Sequence, residues 1–429
     1  MKNISITSDE LYRIINENET LVNQKNQLET QFTVLHNSYL EIISKSVEIF
    51  KDLPINPQKI IFISYDGKGY SCNPKYIAEE ILRRDLTFDL VWLVNDLNAT
   101  MPDKIRKVPY DSFDALYELA TAKVIVTNEM TPLDFHKKPS QYFIMTWHAC
   151  WTAKYVNLDL KEKCSPQLVN IINSSNAVTD LMLAGSEDNL KDIRRAFGYQ
   201  GEVLSCGLPR QDIFFKPDAI PSISKKVKSS LHIQVQNKIL LYAPTFRDND
   251  LQSMAIQETD IYRLNFQRLL NVLEKSFGGK WNLLCRLHPI FSERGLSKQI
   301  FTPSQNIIDV TDYPDVQELM VAADAVLTDY SSVIYDFMLQ NKPVFILAKD
   351  LTKYDELRGL HPNYFEMPFE ITRTEDELFA CIKNFNVNKD KLKKSVQDYL
   401  AKLNPYGCDG TASAQVVDKI LDVMKTKGN

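Results

Sequence analysis

Residues 309–347 read DVTDYPDVQELMVAADAVLTDYSSVIYDFMLQNKPVFIL, and their pattern is the strongest indication of the fold class. An apolar strand at 325–328 is followed by the polar turn 329–332, after which apolar residues recur at helical spacing. A further apolar run follows at 343–347. A strand, a turn and a helix in this order are typical of a parallel sheet covered by helices.

The two serines of this turn, Ser331 and Ser332, have two interpretations. Ligands of open parallel sheets bind outside the carboxyl ends of the strands, and a helix amino terminus offers unpaired N–H groups that suit a phosphate. Alternatively, one of the hydroxyls simply caps the following helix. The turn alone favours neither interpretation, so the polar turns elsewhere in the chain have to decide.

Strands and helices alternate on both sides of a break in the pattern near residues 210–220. The sequence therefore predicts an α/β protein with two Rossmann-like, doubly wound domains that face a cleft. We place an N-terminal helical segment at 1–52, a first domain at 53–215 and a second domain at 216–429. The last helix, at about 411–427, could return to the first domain. Apolar strands are predicted at 59–63, 90–94, 123–126, 142–146, 181–183, 238–242, 281–287, 307–310, 325–328 and 343–347.

Composition excludes several classes of protein. The net charge is −5, so no global basic character points to nucleic acid. The seven cysteines form no CxxC pair, which favours reduced thiols in the cytoplasm and gives no zinc site. The polar amino terminus lacks the features of a signal peptide, and no apolar run approaches the roughly 20 residues that cross a bilayer. Any membrane contact is expected to be peripheral.

The segment 8–50 differs from the rest of the chain because it carries heptad spacing. The positions seven residues apart are Ile14, Leu21, Leu28, Leu35 and Ile42, and no Pro or Gly interrupts the run. This pattern predicts a coiled coil or a helical hairpin. The helix could mediate self-association or partner docking, or it could pack on the protein's own body; we favour association.

In the first domain, the most informative polar turn follows the strand at 142–146. His148 is expected to face the cleft, where an imidazole of near-neutral pKa can accept a proton from a hydroxyl. The alternative is that His148 is packed between Trp147 and Trp151, and this is the more frequent case for a histidine considered alone. Lys154 could help to neutralise phosphate. For Arg210 the sequence does not decide between an ion pair at the hinge and a phosphate contact. The loop 65–71, with Gly67 and Gly69, does not match GxGxxG and is expected to be a simple turn.

Two strand ends of the second domain carry basic residues. Arg247 follows the strand at 238–242, and its rigid guanidinium fork suits phosphate. Arg286 and His288 alternate along the next strand, so they share one face beside the serine turn. A surface ion pair would explain any one of these features alone. Because all of them fall at strand carboxyl ends, the sequence predicts an anion site.

Five motifs together resemble the CDP-glycerol glycerophosphotransferase family, which builds wall teichoic acids and related capsular polymers. The motifs are TWHACWTAKYV, GLPRQD, LLYAPTFRD, RLHP and the stretch 309–345 quoted above. The resemblance covers about residues 59–420 and leaves out the heptad segment. It implies a GT-B-type fold, with the nucleotide bound mainly by the second domain.

The resemblance also implies roles for single residues. His148 would be the general base on the acceptor hydroxyl, and His288 would stabilise the donor phosphates or the leaving group. The pyrophosphate would be held at Ser331, Ser332 and Thr328, and basic positions of the family match Arg247, Arg286 and Lys154 less closely. Many members have Gly directly after the first His and Lys five residues after it; here Ala149 follows and Lys154 comes six after, as in capsule-type members.

The expected function is therefore transfer of a polyol phosphate from a CDP-activated donor to a hydroxyl of a saccharide or lipid-linked polymer acceptor, with release of CMP. The sequence does not decide whether the polyol of the donor is glycerol or ribitol. It shows no DxD motif at a strand end, so no tightly bound cofactor is expected, although free Mg²⁺ on the pyrophosphate stays open. The family works at the inner face of the cytoplasmic membrane. The alternatives are a GT-B glycosyltransferase that uses a nucleotide sugar and a non-catalytic coiled-coil scaffold.

Overall fold

The computed structural model describes residues 48–130, 137–151, 153–247, 260–293, 295–403 and 405–425, together with single positions between 24 and 45. Those single positions are helical. The five heptad positions themselves lie outside the described residues, so the coiled coil stays a prediction. No helix in the described ranges is both long and apolar enough to span a bilayer.

The first sheet has seven parallel strands in the order β3-β2-β1-β4-β5-β6-β7. The chain order reverses between β1 and β4, which is the switch point where ligands of such sheets bind. The central strands are buried on both faces, as their continuous apolar sequences predict. The strands are β1 Asn56–Ile63, β2 Asp89–Val94, β3 Ile105–Pro109, β4 Ala122–Thr127, β5 Tyr142–Met145, β6 Leu181–Ala184 and β7 Glu202–Ser205.

The second sheet has six parallel strands in the order β10-β9-β8-β11-β12-β13, with its switch point between β8 and β11. We call residues 56–215 the first lobe and residues 216–403 the second lobe. The strands are β8 Lys238–Tyr242, β9 Trp281–Cys285, β10 Ile307–Asp309, β11 Ala325–Thr328, β12 Val344–Leu347 and β13 Ile371–Thr372.

Helices cover both sheets, and the predicted α/β fold with parallel sheets is confirmed. In the first lobe they are α1 Cys72–Arg83, α2 Phe113–Thr121, α3 Pro166–Val178 and α4 Glu187–Ala196, with 3₁₀ segments at Asn157–Lys163 and Pro209–Phe215. The second lobe contributes α5 Ile220–Ser230, α6 Phe266–Phe277, α7 Pro289–Glu293, α8 Ser297–Ile300, α9 Val316–Ala322, α10 Val333–Met338, α11 Leu351–Arg358, α12 Pro362–Phe365 and α13 Glu375–Leu403; the last helix is α14 Ala412–Lys425.

Three strands were not predicted from the sequence, and all three lie at sheet edges. These are β3, β7 and β13. Two of them have exposed or half-exposed positions, and β13 is only two residues long. An edge strand pairs on one side only, so it needs no continuous apolar run and gives little sequence signal.

The last helix lies against the first lobe. Asp212 accepts hydrogen bonds from the N–H groups of Ala412 and Ser413 at 3.1 and 2.7 Å, which caps the start of α14. Arg84, directly after α1, donates to the carbonyl of Ala414 at 3.1 Å. Asp212 therefore has a structural role, and the chain crosses back from the second lobe to the first. The domain boundaries themselves stay a prediction.

A buried cluster of charges joins the two lobes. Lys75 of α1 donates to Asp315 at 2.6 Å and to Glu318 at 2.7 Å, and Tyr76 donates to Asp315 at 2.8 Å. Burial alone would lower the pKa of Lys75, but the carboxylates of Asp315, Glu79 and Glu318 outweigh it and raise that pKa. The ammonium is therefore charged, and it neutralises the carboxylates of Asp315 and Glu318, which are themselves buried.

A second buried pair ties the lobes close to the serine turn. Arg210 contacts Asp336 of α10 at 2.6 Å, and Gln211 donates to the other oxygen of Asp336 at 2.8 Å. Arg210 therefore pairs across the lobes with Asp336, not with Asp212. These contacts fix α10, and the turn before it, relative to the first lobe.

Replacing Lys75 should destabilise the protein strongly. Lys75→Met leaves the buried Asp315 without its cation and leaves Glu318 with Lys226 alone, which should lower the free energy of unfolding by about 3 kcal/mol or more. The matched control is Lys191→Met, whose side chain is 63% exposed and pairs with Asp188 at 3.0 Å; that loss should stay within about 0.5 kcal/mol. Urea unfolding of both variants measures the difference, and equal losses would contradict a structural role for the cluster.

Candidate functional site

Polar side chains gather at the carboxyl ends of strands on both sides of the cleft. In the first lobe they follow β1, β4 and β5, which are adjacent in the sheet. In the second lobe they follow β9, β8 and β11, which are also adjacent. Both groups surround the switch points, where open parallel sheets bind ligands. The site can therefore be described as two facing halves.

His148 is the central group of the first half. Its Nδ1 lies 3.1 Å from the carbonyl oxygen of Asn128, which can only accept a hydrogen bond. Nδ1 therefore carries the proton, and the lone pair of Nε2 is free to accept another. The side chain keeps 31% of its surface exposed, so a hydroxyl from solvent or from a substrate can reach it.

The surroundings hold His148 in its neutral form. Burial lowers the pKa of His148 to about 4, and the positive charges of Arg210 and Lys154 act in the same direction, against the hydrogen bond to Asn128. Near neutral pH the imidazole is therefore uncharged, with its one proton on Nδ1. It is arranged as a proton acceptor rather than as a cation for phosphate.

The loop 65–71 lies beside His148, although the sequence suggested a simple turn. Tyr65 and Asp66 have φ values of 47° and 52°, a conformation that costs energy for residues other than glycine. The N–H of Tyr65 donates to Asn128 Oδ1 at 2.9 Å, and its ring lies 5.7 Å from the imidazole of His148. The same asparagine therefore positions the loop with its side chain and the histidine with its carbonyl.

Tyr65 also reaches towards the second lobe. Burial raises the pKa of Tyr65 well above its ordinary value, as does Cys72, while the charge of Arg210 opposes the shift. The phenol in turn acts electrostatically on Arg286, whose pKa is lowered by burial. The ring of Tyr65 thus lies between the base of one lobe and a cation of the other.

Arg286 is the cation of the second half. Its Nη1 donates to the carbonyls of Val310 and Tyr313 at 3.2 and 2.5 Å, which fixes the guanidinium at the end of β9. Within the described parts of the chain, no carboxylate lies at salt-bridge distance from Arg286. Its charge is therefore available to an anion in the cleft.

His288 lies exposed two residues further on. Its ring stacks on Phe246 with the centroids 4.6 Å apart and the planes at 28°. Leu287 between the two basic residues is buried, but β9 ends at Cys285, so strand alternation does not extend to them and their shared face stays a prediction. Phe246 follows β8, which places His288 next to the turn that leads from that strand.

The serine turn opens α10 without a strong cap. The hydroxyl of Ser332, directly before the helix, makes no capping hydrogen bond, and that of Ser331 accepts one from Val333 N–H at 3.3 Å. Both residues are half-exposed. Asp329 pins the turn instead, because its Oδ1 accepts from the N–H groups of Thr245 and Tyr330 at 2.7 and 2.6 Å. The serine hydroxyls keep hydrogen-bonding capacity for a ligand.

Arg247 has a different role from the one that its sequence suggested. It is only 8% exposed, and its fork binds both oxygens of Asp350 at 2.8 Å and Asp329 at 2.9 Å. The rings of Tyr330 and Tyr354 stack on each other with their centroids 4.0 Å apart, and the guanidinium lies near both, at 4.9 and 4.8 Å from their centroids. The predicted phosphate contact is therefore corrected. Arg247 is bound by two carboxylates, and it stabilises the serine turn through Asp329.

Thr328 is also corrected. It is 1% exposed inside β11, and its hydroxyl donates to the carbonyl of Ala243 at 2.6 Å, so it is not open to a phosphate. Lys154 is half-buried, forms a β-bridge with Leu360 of the second lobe and acts electrostatically on His148. His148 and Lys154 thus follow β5 in the first lobe, whereas Arg286, His288 and the serines lie around the second switch point.

The sequence analysis missed Asn128, Glu129, Tyr65 and Asp66. The available signal was the polar run 127–129 directly after β4, because the strand at a switch point ends in the ligand crevice. The order of the strands could not be read from local patterns. Among the described residues, no group of three His, Cys, Asp or Glu side chains could hold a metal ion.

This chain is similar to known proteins. A family model described as CDP-Glycerol:Poly(glycerophosphate) glycerophosphotransferase matches residues 45–422. A teichoic acid poly(glycerol phosphate) polymerase of Staphylococcus epidermidis is 28% identical over 96% of this chain, which spans only 59% of that relative. A polymerase of the same description from Bacillus spizizenii is 29% identical, over 86% of this chain and 93% of its own.

A solved structure is also similar. It is the wall teichoic acid polymerase TagF, as a histidine-to-asparagine variant soaked with CDPG for 15 minutes. The two chains match with a TM-score of 0.77 at 26% identity, over 93% of this chain and 98% of that one. The GT-B fold expected from the sequence is confirmed by this likeness.

Proposed function

This chain belongs to the CDP-glycerol:poly(glycerophosphate) glycerophosphotransferase family, and we propose that it transfers a polyol phosphate from a CDP-activated donor to a hydroxyl acceptor, releasing CMP. Glycerol phosphate is the favoured unit, and the product is a teichoic-acid-like or capsular polymer. The observation that carries the proposal is the neutral His148, with its Nε2 free, across the cleft from the uncompensated Arg286.

In this mechanism the acceptor hydroxyl approaches from the first lobe. His148 Nε2 takes the hydroxyl proton while the oxygen forms a bond to the β-phosphorus of the donor. The bond from that phosphorus to the bridging oxygen breaks, and the electron pair leaves with CMP. Such transfers depend on positioning and charge neutralisation more than on covalent help.

The second lobe supplies most of the charge stabilisation. Arg286 neutralises the diphosphate together with Lys154 of the first lobe, and His288 contacts the donor phosphates or the leaving group. The hydroxyls of Ser331 and Ser332, with the N–H groups at the start of α10, hold the pyrophosphate. A single donor of this kind is worth about 3 kcal/mol in the transition state.

The place of action and the assembly belong to the same proposal. Heptad spacing at Ile14 to Ile42 supports self-association through the N-terminal helix. The family resemblance supports peripheral association with the inner face of the cytoplasmic membrane. In this proposal a free Mg²⁺ ion and the hydroxyls of Ser331 and Ser332 can bind the same pyrophosphate.

The proposed function is tested by a transfer assay with the full chain. CDP-glycerol, CDP-ribitol and UDP-sugars are offered as donors to a synthetic glycerol phosphate oligomer, with and without Mg²⁺, and CMP or UDP release is measured. We expect CMP release and elongation with a CDP-polyol. Transfer from a UDP-sugar alone would favour a GT-B glycosyltransferase, and no transfer from any donor would favour a non-catalytic scaffold.

His148 should control turnover but not donor binding. His148→Ala removes the proton acceptor, so kcat should fall by a factor of about 100 or more, while the Kd for CDP-glycerol changes little. His232→Asn is the matched control, because His232 is exposed at the end of α5 and has a φ of 55° that Asn tolerates. Steady-state kinetics and calorimetric titration measure both values; near-normal turnover in His148→Ala would show that the base is another group.

A further inference from the structure

We propose that Glu129 is a positioning residue for His148, stabilising the imidazolium that forms during transfer, and that Asp66 sets the pH at which it does so. This inference rests on the proposed function of His148 as the proton acceptor. It concerns two carboxyl groups at the carboxyl ends of β4 and β1, which the mechanism above does not use.

Glu129 lies on the far side of the imidazole from the reacting nitrogen. Its Oε1 is 3.9 Å from His148 Nδ1, and it retains 30% side-chain exposure. That distance is too long for a hydrogen bond, and Nδ1 already donates to the Asn128 carbonyl at 3.1 Å. Glu129 therefore takes no proton from the ring. Its effect is electrostatic, because a carboxylate at this distance stabilises the ring when Nε2 becomes protonated.

Asp66 lies next to Glu129 in the loop after β1. Asp66 raises the pKa of Glu129, because a second carboxylate close by disfavours another negative charge. Asp66 is itself held in place, since its Oδ1 accepts from Tyr110 at 3.2 Å and its carbonyl accepts from Asn95 at 3.0 Å. The loop conformation with positive φ at Asp66 brings this carboxyl group to Glu129.

The pair makes Glu129 titrate near neutrality. Burial raises the pKa of Glu129 to about 7, the charge of Asp66 adds to the rise, and Lys68 opposes it. Further charged or titratable groups face this region. These are Tyr65 beside Glu129, and Arg210 and Lys154 beside His148.

The direction of the pH effect follows from these contacts. Above about pH 7 Glu129 is ionised and stabilises the imidazolium; as the pH falls through its pKa, it is protonated and that stabilisation is lost. His148 itself stays neutral until about pH 4, so it does not cause this change. Turnover should therefore decrease as the pH falls through 7 while donor binding is retained.

The experiment compares kcat and KM against pH for the full chain and three variants, with CDP-glycerol and the glycerol phosphate oligomer. Glu129→Gln should lower kcat about tenfold above pH 8, remove the decrease near pH 7 and leave the KM for CDP-glycerol unchanged. Asp66→Asn, which tolerates the positive φ, should move the decrease about one pH unit lower. Asp192→Asn removes another carboxyl group of raised pKa, on α4, and should leave the profile unchanged.

A second readout does not depend on activity. In the protein labelled with isotopes at histidine, the NMR signal of His148, assigned by its loss in His148→Ala, should inflect near pH 7 as Glu129 titrates. The inflection should vanish in Glu129→Gln and move to lower pH in Asp66→Asn. If the wild-type chain shows this inflection but has no transferase activity, the proposed function is rejected and the interaction of Glu129 with His148 is not.

Two results would overturn the inference about Glu129. One is a Glu129→Gln variant with the same pH profile and the same NMR inflection as the wild type. The other is a uniform loss of kcat with the decrease near pH 7 intact, because it would indicate a structural role only. If Glu129→Gln does not fold, as judged by its thermal unfolding, the shift in Asp66→Asn still decides.

Discussion

Buried charge pairs between the lobes are the constraint on which the site depends. Lys75 binds Asp315 and Glu318, and Arg210 binds Asp336 directly behind the serine turn. Charges removed from water are tolerated only when their partners stay in place, so these pairs leave little freedom in how the lobes meet. The backbone bridge between Lys154 and Leu360 adds a third tie at the cleft. The two switch points therefore face each other in a fixed arrangement, without which neither half of the site could act on one substrate.

The lobes then divide the chemistry by charge. The first lobe keeps His148 neutral through burial and neighbouring cations, and the Asn128 carbonyl directs its free lone pair away from the protein. The second lobe presents the uncompensated Arg286 and the hydroxyls of the serine turn. A proton acceptor on one side and an anion site on the other suit the transfer of a phosphoryl-type group between two bound substrates. Arg247 supports this division indirectly, because it fixes the turn through Asp329 and Asp350.

The sequence predicted the fold well because buried parallel strands are continuous apolar runs, and each polar turn marks a carboxyl end. It also predicted that His148 and Arg286 reach the cleft. The phosphate contacts predicted for Arg247 and Thr328 were wrong. Both side chains form hydrogen bonds within the protein, to Asp350 and to the carbonyl of Ala243, and these partners are too distant in the chain for local spacing to reveal them. Asn128 and Glu129 were missed for the same reason: their importance depends on which strands are neighbours, and that order is a property of the whole sheet.

The proposed mechanism requires one diphosphate bound between the two switch points, and a crystal structure of the full chain soaked with CDP-glycerol is the most direct test of this requirement. We predict that the diphosphate contacts the hydroxyls of Ser331 and Ser332 and the guanidinium of Arg286, with the β-phosphorus facing the Nε2 side of His148. A diphosphate bound away from the serine turn, or a His148 whose Nε2 is turned from the phosphorus, would contradict the account.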